Sequence, residues 1–278
     1  MEGYFTIKEA SEKYIETCRS KIRTTAPKTL IRSTLAGGMI AFGAAISSVA
    51  AHTITNVAFA RLASALVFPV GLMMVILFGA ELFTGDCLIA MSVFDKKQKV
   101  YNCLKLLFAV YVGNFLGSVF IALLISFSGQ LDYSAGLLGA YTIKIAVEKV
   151  NLTFTQGFTS GILCNILVCA AVLMAGCAKD ITGKLLATFF VIMLFVTGGF
   201  EHCVANMYYI TAGLLAKCNP EYLQMAMNTY GFSANTLSTL TLANFFTKNL
   251  LPVTVGNILG GSFFVGLPVY IMNYRKKK

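Results

Sequence analysis

Charged residues are scarce in this chain, and their scarcity excludes an ordinary soluble protein. Only 12% of the 278 residues are Asp, Glu, Lys or Arg, whereas a soluble domain carries about 25%. Hydrophobic residues make up 57% of the sequence, and its mean hydropathy is +0.74. The few charges stand between long uncharged segments, which is typical of a membrane protein.

Motifs of metal and nucleophile chemistry are missing as well. The eight cysteines and two histidines form no CxxC pair and no Cys/His pair with zinc spacing. An HExxH helix and a nucleophile turn are also absent, so an intramembrane hydrolase built on Glu201 and His202 would lack its other parts. We therefore predict no enzyme, no metal and no cofactor, and we expect buried thiols rather than disulfides.

Six uncharged or nearly uncharged segments are long enough to cross a bilayer. They fall within residues 33–60, 67–94, 106–131, 150–178, 185–216 and 249–274. Of the 22 Lys and Arg residues, 17 flank one side of these spans and 5 flank the other. The positive-inside rule then predicts that both termini are cytoplasmic, and it explains the net charge of +10 without any nucleic acid.

The segment 1–28 predicts an amphipathic helix at the cytoplasmic surface. Ile15 and Cys18 lie on one face among charges, and Thr6 with Glu9 fits a capping box. The apolar stripe is narrow, so a helix surrounded by solvent is the alternative. The segment has no apolar core of the kind that marks a secretory signal, and we expect no cleavage there.

Polar residues interrupt the second and fifth spans. Glu81, Thr84 and Asp86 break the second span, and Glu201 and His202 break the fifth directly after glycine-rich sequence. Interrupted helices at corresponding positions of two halves predict an inverted repeat with the substrate site between the breaks. Half-helices that start inside the membrane direct their positive ends at such a site, which favours an anion. We therefore predict a pore or carrier site at His202.

The three carboxylates at these breaks have a structural interpretation. A carboxylate in the pore would repel the anion that the helix ends attract. We expect Glu81, Asp86 and Glu201 to accept hydrogen bonds from free N–H groups of the broken helices instead. His202 has the ordinary alternative of a satisfied core histidine, but an imidazole can also give or take a proton near neutral pH.

Three motifs of the chain occur together in one known family. They are GAELFTGDCL at 79–88, GFEHCVANMY at 199–208 and NLLPVTVGNILGG at 249–261. Their sequences and their order closely resemble the formate-nitrite transporter family, and the similarity extends over about residues 29–272. Within that family the chain looks most like the bacterial hydrosulfide channels.

The resemblance implies an all-α membrane protein: an aquaporin-like inverted repeat of six helices with broken second and fifth helices, assembled as a homopentamer. It assigns substrate binding in the pore to Thr84, Lys149, Asn165, Glu201, His202 and Asn206. It assigns apolar constrictions on the two sides of the histidine to Phe68, Leu72, Leu82, Phe83, Val168 and Phe195. The two asparagines have the alternative of simply holding spans together. Asp86 and Cys87 stand where other members vary.

The function implied by the resemblance is a passive channel for small weak-acid anions in the cytoplasmic (inner) membrane. Hydrosulfide is the first expectation, with formate and nitrite close behind. Proton-coupled anion transport and a pore for neutral solutes such as water or ammonia are the alternatives. In this interpretation residues 1–28 form a cytoplasmic segment, 29–274 the channel in the lipid bilayer, and 275–278 a basic cytoplasmic tail.

Overall fold

The computed structural model describes residues 3–274, which are built of helices. The basic tail 275–278 lies outside the described residues. The main helices are α1 (Ile7–Arg23), α2 (Ala26–Ala51), α3 (Val57–Phe78), α4 (Phe83–Phe94), α5 (Val100–Phe127), α6 (Leu137–Val150), α7 (Phe154–Cys177), α8 (Ile181–Gly198), α9 (Cys203–Ala216), α10 (Pro220–Tyr230), α11 (Ala234–Ser238) and α12 (Leu242–Asn273). Within residues 3–274, six of them (α2, α3, α5, α7, α8 and α12) are long and apolar enough to cross a membrane, as the sequence predicts.

The second and fifth spans are interrupted where the sequence predicts a break. Helix α3 ends at Gly79, whose φ is +62°, and α4 begins four residues later. Helix α8 ends at Gly199, whose φ is +67°, and α9 begins at the same distance. Glycine adopts this left-handed conformation without a Cβ penalty, so it ends each half-helix and turns the chain.

Small residues bring the long helices into close contact within each half of the protein. Helix α2 packs against α5, and a Cβ on Gly37 would lie 2.1 Å from the backbone oxygen of Asn114. Helix α7 packs against α12 in the same manner, since a Cβ on Gly256 would lie 2.2 Å from the oxygen of Phe158. Glycines at these positions therefore allow close helix packing.

Helix α1 docks on one end of the bundle. Its capping box forms between Thr6 and Glu9, as predicted. Ile15 and Cys18 are buried, and the helix packs against α4, α5, α7 and α12. The alternative of a helix surrounded by solvent is therefore wrong, because even a narrow apolar stripe suffices when the surface beneath it is complementary.

Helix α6 is an element that sequence reasoning left undescribed. It lies between the third and fourth spans, and its buried residues pack against α9. The connection that follows α9 contains the short helices α10 and α11. Helices α1 and α6 thus each precede one half of the membrane bundle.

The cysteines behave as the sequence predicts. All eight lie within residues 3–274 and are free thiols, and six of them are buried. They serve as small apolar side chains in the core.

Candidate pore site

The two half-helices α4 and α9 begin next to each other, and their first residues form the centre of the site. Thr84 lies in the first turn of α4, and His202 is the N-cap of α9. The Thr84 hydroxyl Oγ1 lies 3.0 Å from His202 Nε2. Both side chains are buried. Two positive helix ends therefore converge on a hydroxyl and an imidazole, which is suitable surroundings for an anion.

The hydrogen bonds of His202 determine which ring nitrogen carries the proton. The Ala205 backbone N–H donates to Nδ1 over 3.1 Å, so Nδ1 is an acceptor. In the neutral ring the proton then lies on Nε2, which donates to the Thr84 hydroxyl oxygen. The hydroxyl hydrogen of Thr84 is consequently not used by the imidazole and is available to a ligand. Protonating Nδ1 would break the cap of α9, so the geometry favours a neutral ring.

Two buried asparagines hold the broken loops through equivalent sets of hydrogen bonds. Asn114 accepts from the Phe83 N–H over 2.9 Å and donates to the backbone oxygens of Ser33 and Glu81. Asn257 accepts from the Cys203 N–H, also over 2.9 Å, and donates to the oxygens of Gly161 and Glu201. Each side chain therefore binds two backbone groups of the break and ties the loop to a carbonyl of a neighbouring helix, α2 for Asn114 and α7 for Asn257.

The carboxylates at the breaks have other partners than the sequence predicts. Amide oxygens of Asn114 and Asn257 receive the first N–H groups of α4 and α9, whereas Glu81, Asp86 and Glu201 face lysines. The prediction that these carboxylates cap the half-helices is therefore wrong. The physical reason is charge, since a buried carboxylate needs a cation and a backbone N–H is served equally well by a neutral amide.

Glu201 pairs with the predicted pore lysine. Its Oε1 accepts from Lys149 Nζ over 2.8 Å, and its Oε2 accepts from Asn206 over 2.6 Å and from Asn249 over 3.3 Å. Both oxygens of this carboxylate are therefore satisfied. The ammonium also lies 5.4 Å from the centre of the Tyr209 ring. Lys149 is thereby held on the wall of a cavity that His202 also lines.

Glu81 and Asp86 share a lysine that the sequence reasoning did not single out. Lys21 Nζ on α1 lies 2.6 Å from Glu81 Oε2 and 2.5 Å from Asp86 Oδ1, while Arg32 reaches Glu81 Oε1 only at 3.8 Å. Burial alone would lower the pKa of the Lys21 ammonium, but the charges of Asp86 and Glu81 outweigh burial and raise that pKa above its ordinary value. Lys21 therefore stays charged.

A cavity of about 400 Å³ opens on the side of α6, and we call it the α6 vestibule. Three cations and one carboxylate line it, so it is electropositive. Its chemically active lining residues are Arg61, Lys144, Glu148, Lys149, His202 and Asn206.

A second cavity of about 410 Å³ lies beneath α1, and we call it the α1 vestibule. Tyr14 closes one wall, where its hydroxyl donates to the backbone oxygen of Gly85 over 3.0 Å. Its charged lining residues are Lys21, Arg32, Glu81, Asp86 and Lys184. The two vestibules approach the Thr84–His202 pair from opposite ends.

The predicted constriction residues divide between the two cavities. Phe68 and Phe195 line the α6 vestibule with their rings edge to face, 5.5 Å apart, and Phe195 lies 5.8 Å from the His202 ring. Leu72 and Leu82 line the α1 vestibule. All four are buried, so an apolar pair lies on each side of the histidine.

Two further predicted constriction residues are placed differently. Phe83 packs edge to face on Tyr111 at 4.9 Å, and it is absent from the lining of both vestibules described above. Val168 is buried in α7 and is likewise absent from both linings. The structure therefore brings four of the six residues to the two cavities.

The two predicted pore amides also differ from each other. Asn206 lines the α6 vestibule and donates to Glu201 and Asn249. Asn165 is fully buried, and its amide nitrogen donates to the backbone oxygens of Thr84 and Asn257. Asn165 thus ties one half of the protein to the other directly behind Thr84.

Comparison with known proteins places this architecture in a family. The family model described as "Formate/nitrite transporter" matches residues 8–271. The chain belongs to the formate/nitrite transporter family. This assignment confirms the resemblance drawn from the three motifs, and it places the activity among transporters and not among enzymes.

Individual members of the formate/nitrite transporter family agree with this assignment. The chain is 39% identical over 209 residues to "Formate channel FocA" of Haemophilus influenzae, covering 74% of this chain and 72% of that protein. It is 34% identical over 278 residues to a "Probable formate transporter" of Methanothermobacter thermautotrophicus, covering 93% of each. Among solved structures, a "Pentameric formate channel with formate bound" superposes with a TM-score of 0.78 at 31% identity, over 89% of this chain and 97% of that one.

Several residues of the site escaped the sequence reasoning, although a signal for two of them was present. Asn114 lies in VGNFLG at 112–117 and Asn257 in VGNILG at 255–260, which is an internal repeat of six positions with one difference. Glu81 and Glu201 each follow a glycine by two positions. Lys21 gave no such signal, because its partners are 60 and 65 residues away in sequence.

Proposed function

We propose that this protein is a passive channel for small monovalent anions of weak acids, with formate as the principal substrate. The observation that carries the proposal is the buried Thr84–His202 pair between two vestibules, each of which contains a lysine. A scaffold without transport would have no need for one cavity lined by His202 and a second lined by Leu82 and Gly85, on either side of Thr84 in the sequence.

Anion entry follows from the charges of the vestibules. Lys149, Arg61 and Lys144 raise the local concentration of anions on the α6 side, and Lys21 and Lys184 do so on the α1 side. Transfer of a bare anion past the apolar pairs is costly, of the order of tens of kcal/mol by a Born estimate. The centre therefore has to replace lost water with hydrogen bonds.

The central hydrogen bonds supply that replacement. His202 donates from Nε2 to Thr84, which leaves the Thr84 hydroxyl hydrogen for the anion. Asn165 and Cys169 donate to the backbone oxygen of Thr84 and fix the loop that carries the hydroxyl. Lys149 attracts the anion on its way from the α6 vestibule, and Asn206 holds the Glu201 carboxylate that positions this lysine. Four apolar side chains exclude water from the centre: Phe68, Leu72, Leu82 and Phe195. Phe83 and Val168 support this apolar layer from the side away from the pore.

Formate takes precedence over hydrosulfide because the relatives are named for formate. Formate, nitrite and hydrosulfide share one negative charge, small size and a weak parent acid, so the same centre suits all three. Proton-coupled transport is the second candidate, favoured by a titratable ring beside the binding hydroxyl. In that case the neutral acid crosses the apolar layer.

The assembly and orientation belong to the same proposal. We assign the protein to the inner membrane as a homopentamer, in keeping with a structural neighbour that is named pentameric. The residues 29–274 form the channel, and the α1 vestibule together with both termini faces the cytoplasm. The distribution of Lys and Arg supports this orientation.

The test is anion flux into proteoliposomes measured by stopped-flow, with formate, nitrite, hydrosulfide, acetate and chloride compared on one preparation. Replacement of His202 by Phe should abolish the preference for weak-acid anions, because the donor to Thr84 is lost. The matched control is His52→Phe, since His52 bonds Ser134 away from both vestibules and should keep the wild-type order.

Three outcomes separate the candidate functions. Formate flux without proton dependence supports the passive channel, and flux that ceases without a proton gradient supports proton coupling. A pore for neutral solutes would pass ammonia or water without competition by formate, and this result would overturn both candidates. Unchanged substrate order in His202→Phe would remove His202 from the site.

A further inference from the structure

Asp86 carries a carboxylate oxygen that the protein leaves without a donor. The residue is 2% exposed, and its Oδ1 accepts from Lys21. Its Oδ2 is buried and has no hydrogen-bond partner among residues 3–274. An unpaired anionic oxygen in a buried site is destabilising, so the group requires an explanation.

Glu81 brings a second carboxylate to the same place. Its Oε2 lies 2.6 Å from the Nζ that also contacts Asp86 at 2.5 Å, so two carboxylates converge on one ammonium. Because both carboxyl groups contact the same nitrogen, they are close neighbours. Two carboxylates cannot hydrogen-bond to each other, because neither has a hydrogen to donate.

The neighbouring donors are committed elsewhere. On α1, the Tyr14 hydroxyl donates to the Gly85 oxygen, and on α7, the Cys169 thiol donates to the Thr84 oxygen. Cys18 on α1 is a buried thiol whose pKa burial raises to about 12, so it adds no charge. These groups leave Asp86 Oδ2 without a donor.

The remaining charged groups are cations on other helices. Arg32 on α2 reaches only Glu81, at 3.8 Å, and its side chain is 39% exposed. Lys184 on α8 lines the cavity wall. Neither one hydrogen-bonds to Asp86 Oδ2, and the group that shares Lys21 with Asp86 is the Glu81 carboxyl.

We propose that Asp86 and Glu81 share a single proton, and that this proton sets the affinity of the α1 vestibule for anions. A shared proton supplies the missing donor and removes the repulsion between two carboxylates. It is taken up from water in the vestibule and returned there. Asp86 is thus a specificity-determining residue that neither the family assignment nor the relatives' names indicate.

A comparison of the charges in the two halves shows how the shared proton changes the α1 vestibule. In the α6 half, one lysine faces one carboxylate: Lys149 donates to Oε1 of Glu201, and the amides of Asn206 and Asn249 donate to Oε2. With one shared proton, Lys21 likewise faces a single negative charge. Without the proton, the α1 vestibule carries an additional negative charge beside its lysine and repels an entering anion. This second part rests on the proposed anion channel, whereas the shared proton does not.

The first test detects the shared proton directly, as the infrared band of a protonated carboxyl group. Infrared difference spectra of the purified full-length protein, taken between about pH 5 and pH 8, should show one protonated carboxyl group per protomer. Both Asp86→Asn and Glu81→Gln should remove that band, so the test survives if one of them fails to fold. The matched control Asp95→Asn, at an aspartate paired with Lys97, should retain it. A wild type without the band, or a band that persists in both variants, would overturn the proposal.

The second test reads the consequence for transport. In proteoliposomes at about pH 8, formate flux through Asp86→Asn should be about fivefold higher than through Asp95→Asn, because the repelling charge of the Asp86 carboxylate is gone. At the acid end the two variants should agree. Equal flux at both ends, with the infrared band present, would reject the effect on affinity. If no anion crosses at all, the proposed function fails while the infrared result still decides the proton.

Discussion

The α1 half and the α6 half of this protein solve one problem with the same parts, but they connect those parts differently. Each half has a lead helix with a lysine, a span that stops at a left-handed glycine, a glutamate in the break and an asparagine that holds the loop. Lys149 belongs to a helix packed deep against α9, whereas Lys21 belongs to a helix that rests on the end of the bundle.

The difference separates what a broken membrane helix requires from what it tolerates. The asparagine contacts are equivalent in the two halves, atom by atom, so we infer that the loops depend on them. The ion pairs are not equivalent, since one is a satisfied pair and the other joins a lysine to two carboxylates. The ion pairs are therefore the variable part on which regulation can act.

The largest expected effect comes from removing an asparagine. Asn257→Leu removes the acceptor of a buried N–H and the donor to two backbone oxygens, and Asn114→Leu does the same in the other half. At about 1–3 kcal/mol for each group, both variants should lose about 3 kcal/mol or more. We expect the melting temperature of the detergent-solubilised protein to fall by about 10 °C in each.

The matched control for this pair is Asn228→Leu on the exposed face of α10, where the side chain bonds only Gln224. It should leave the melting temperature within about 2 °C of the wild type. If one of the two variants Asn114→Leu and Asn257→Leu loses much stability and the other loses none, the two halves are not equivalent.

The next effect concerns the satisfied ion pair. Lys149→Met leaves Glu201 buried without its counter-charge, although Asn206 and Asn249 still donate to it. Loss of a partner from a buried pair costs about 3–5 kcal/mol, and the two amides reduce this to about 2 kcal/mol. Thermal melts should show the loss, and the double variant Lys149→Met/Glu201→Gln should regain part of it. No recovery in the double variant would contradict an electrostatic origin.

Sequence reasoning could predict the features that depend on the bilayer itself. Six apolar spans, two breaks, the capping box of α1 and the buried thiols each follow from local composition, because lipid tolerates few alternatives to an apolar helix. The importance of Thr84 and His202 followed from polar residues inside apolar sequence. The structure brings these two side chains within 3.0 Å of each other.

The remaining features depend on contacts between distant segments. Lys21 and Asp86 are 65 residues apart, and nothing near either residue indicates the other. The carboxylates were assigned the wrong partners because a free N–H and a lysine are equally plausible from composition alone. Asn114 and Asn257 could have been predicted, since the motif VGNFLG is repeated as VGNILG. An isolated asparagine in an apolar span, however, is also explained by simple hydrogen bonding between helices.

A smaller effect compares the two left-handed glycines. Gly79→Ala and Gly199→Ala should each cost about 1–2 kcal/mol, because a Cβ is disfavoured at positive φ. A Cβ at Gly79 meets nothing within 4 Å, whereas one at Gly199 would lie 2.5 Å from Arg61 Nη1. Only Gly199→Ala should therefore also raise the formate concentration for half-maximal flux, since it displaces a cation of the α6 vestibule. An equal rise in Gly79→Ala would contradict this assignment.

The sharpest difference between the halves comes from releasing α1. Cys18 is fully buried, and burial raises the pKa of its thiol to about 12, so N-ethylmaleimide should label exposed Cys218 and spare Cys18. In Lys21→Met the salt bridges that tether α1 to the break are lost. Cys18 should then be labelled at least about tenfold faster, because its thiol regains solvent and an ordinary pKa near 8.5.

The α6 half provides the comparison for this experiment. Lys149→Met removes the corresponding ion pair, but α6 stays packed against α9, so buried Cys203 should remain protected from the reagent. Peptide mapping of the labelled protein distinguishes the two thiols. If Lys21→Met leaves Cys18 protected, then Ile15 and its apolar contacts hold α1 without the salt bridges, and the two lead helices are equally fixed. If Lys149→Met exposes Cys203, the α6 half is the more easily opened of the two.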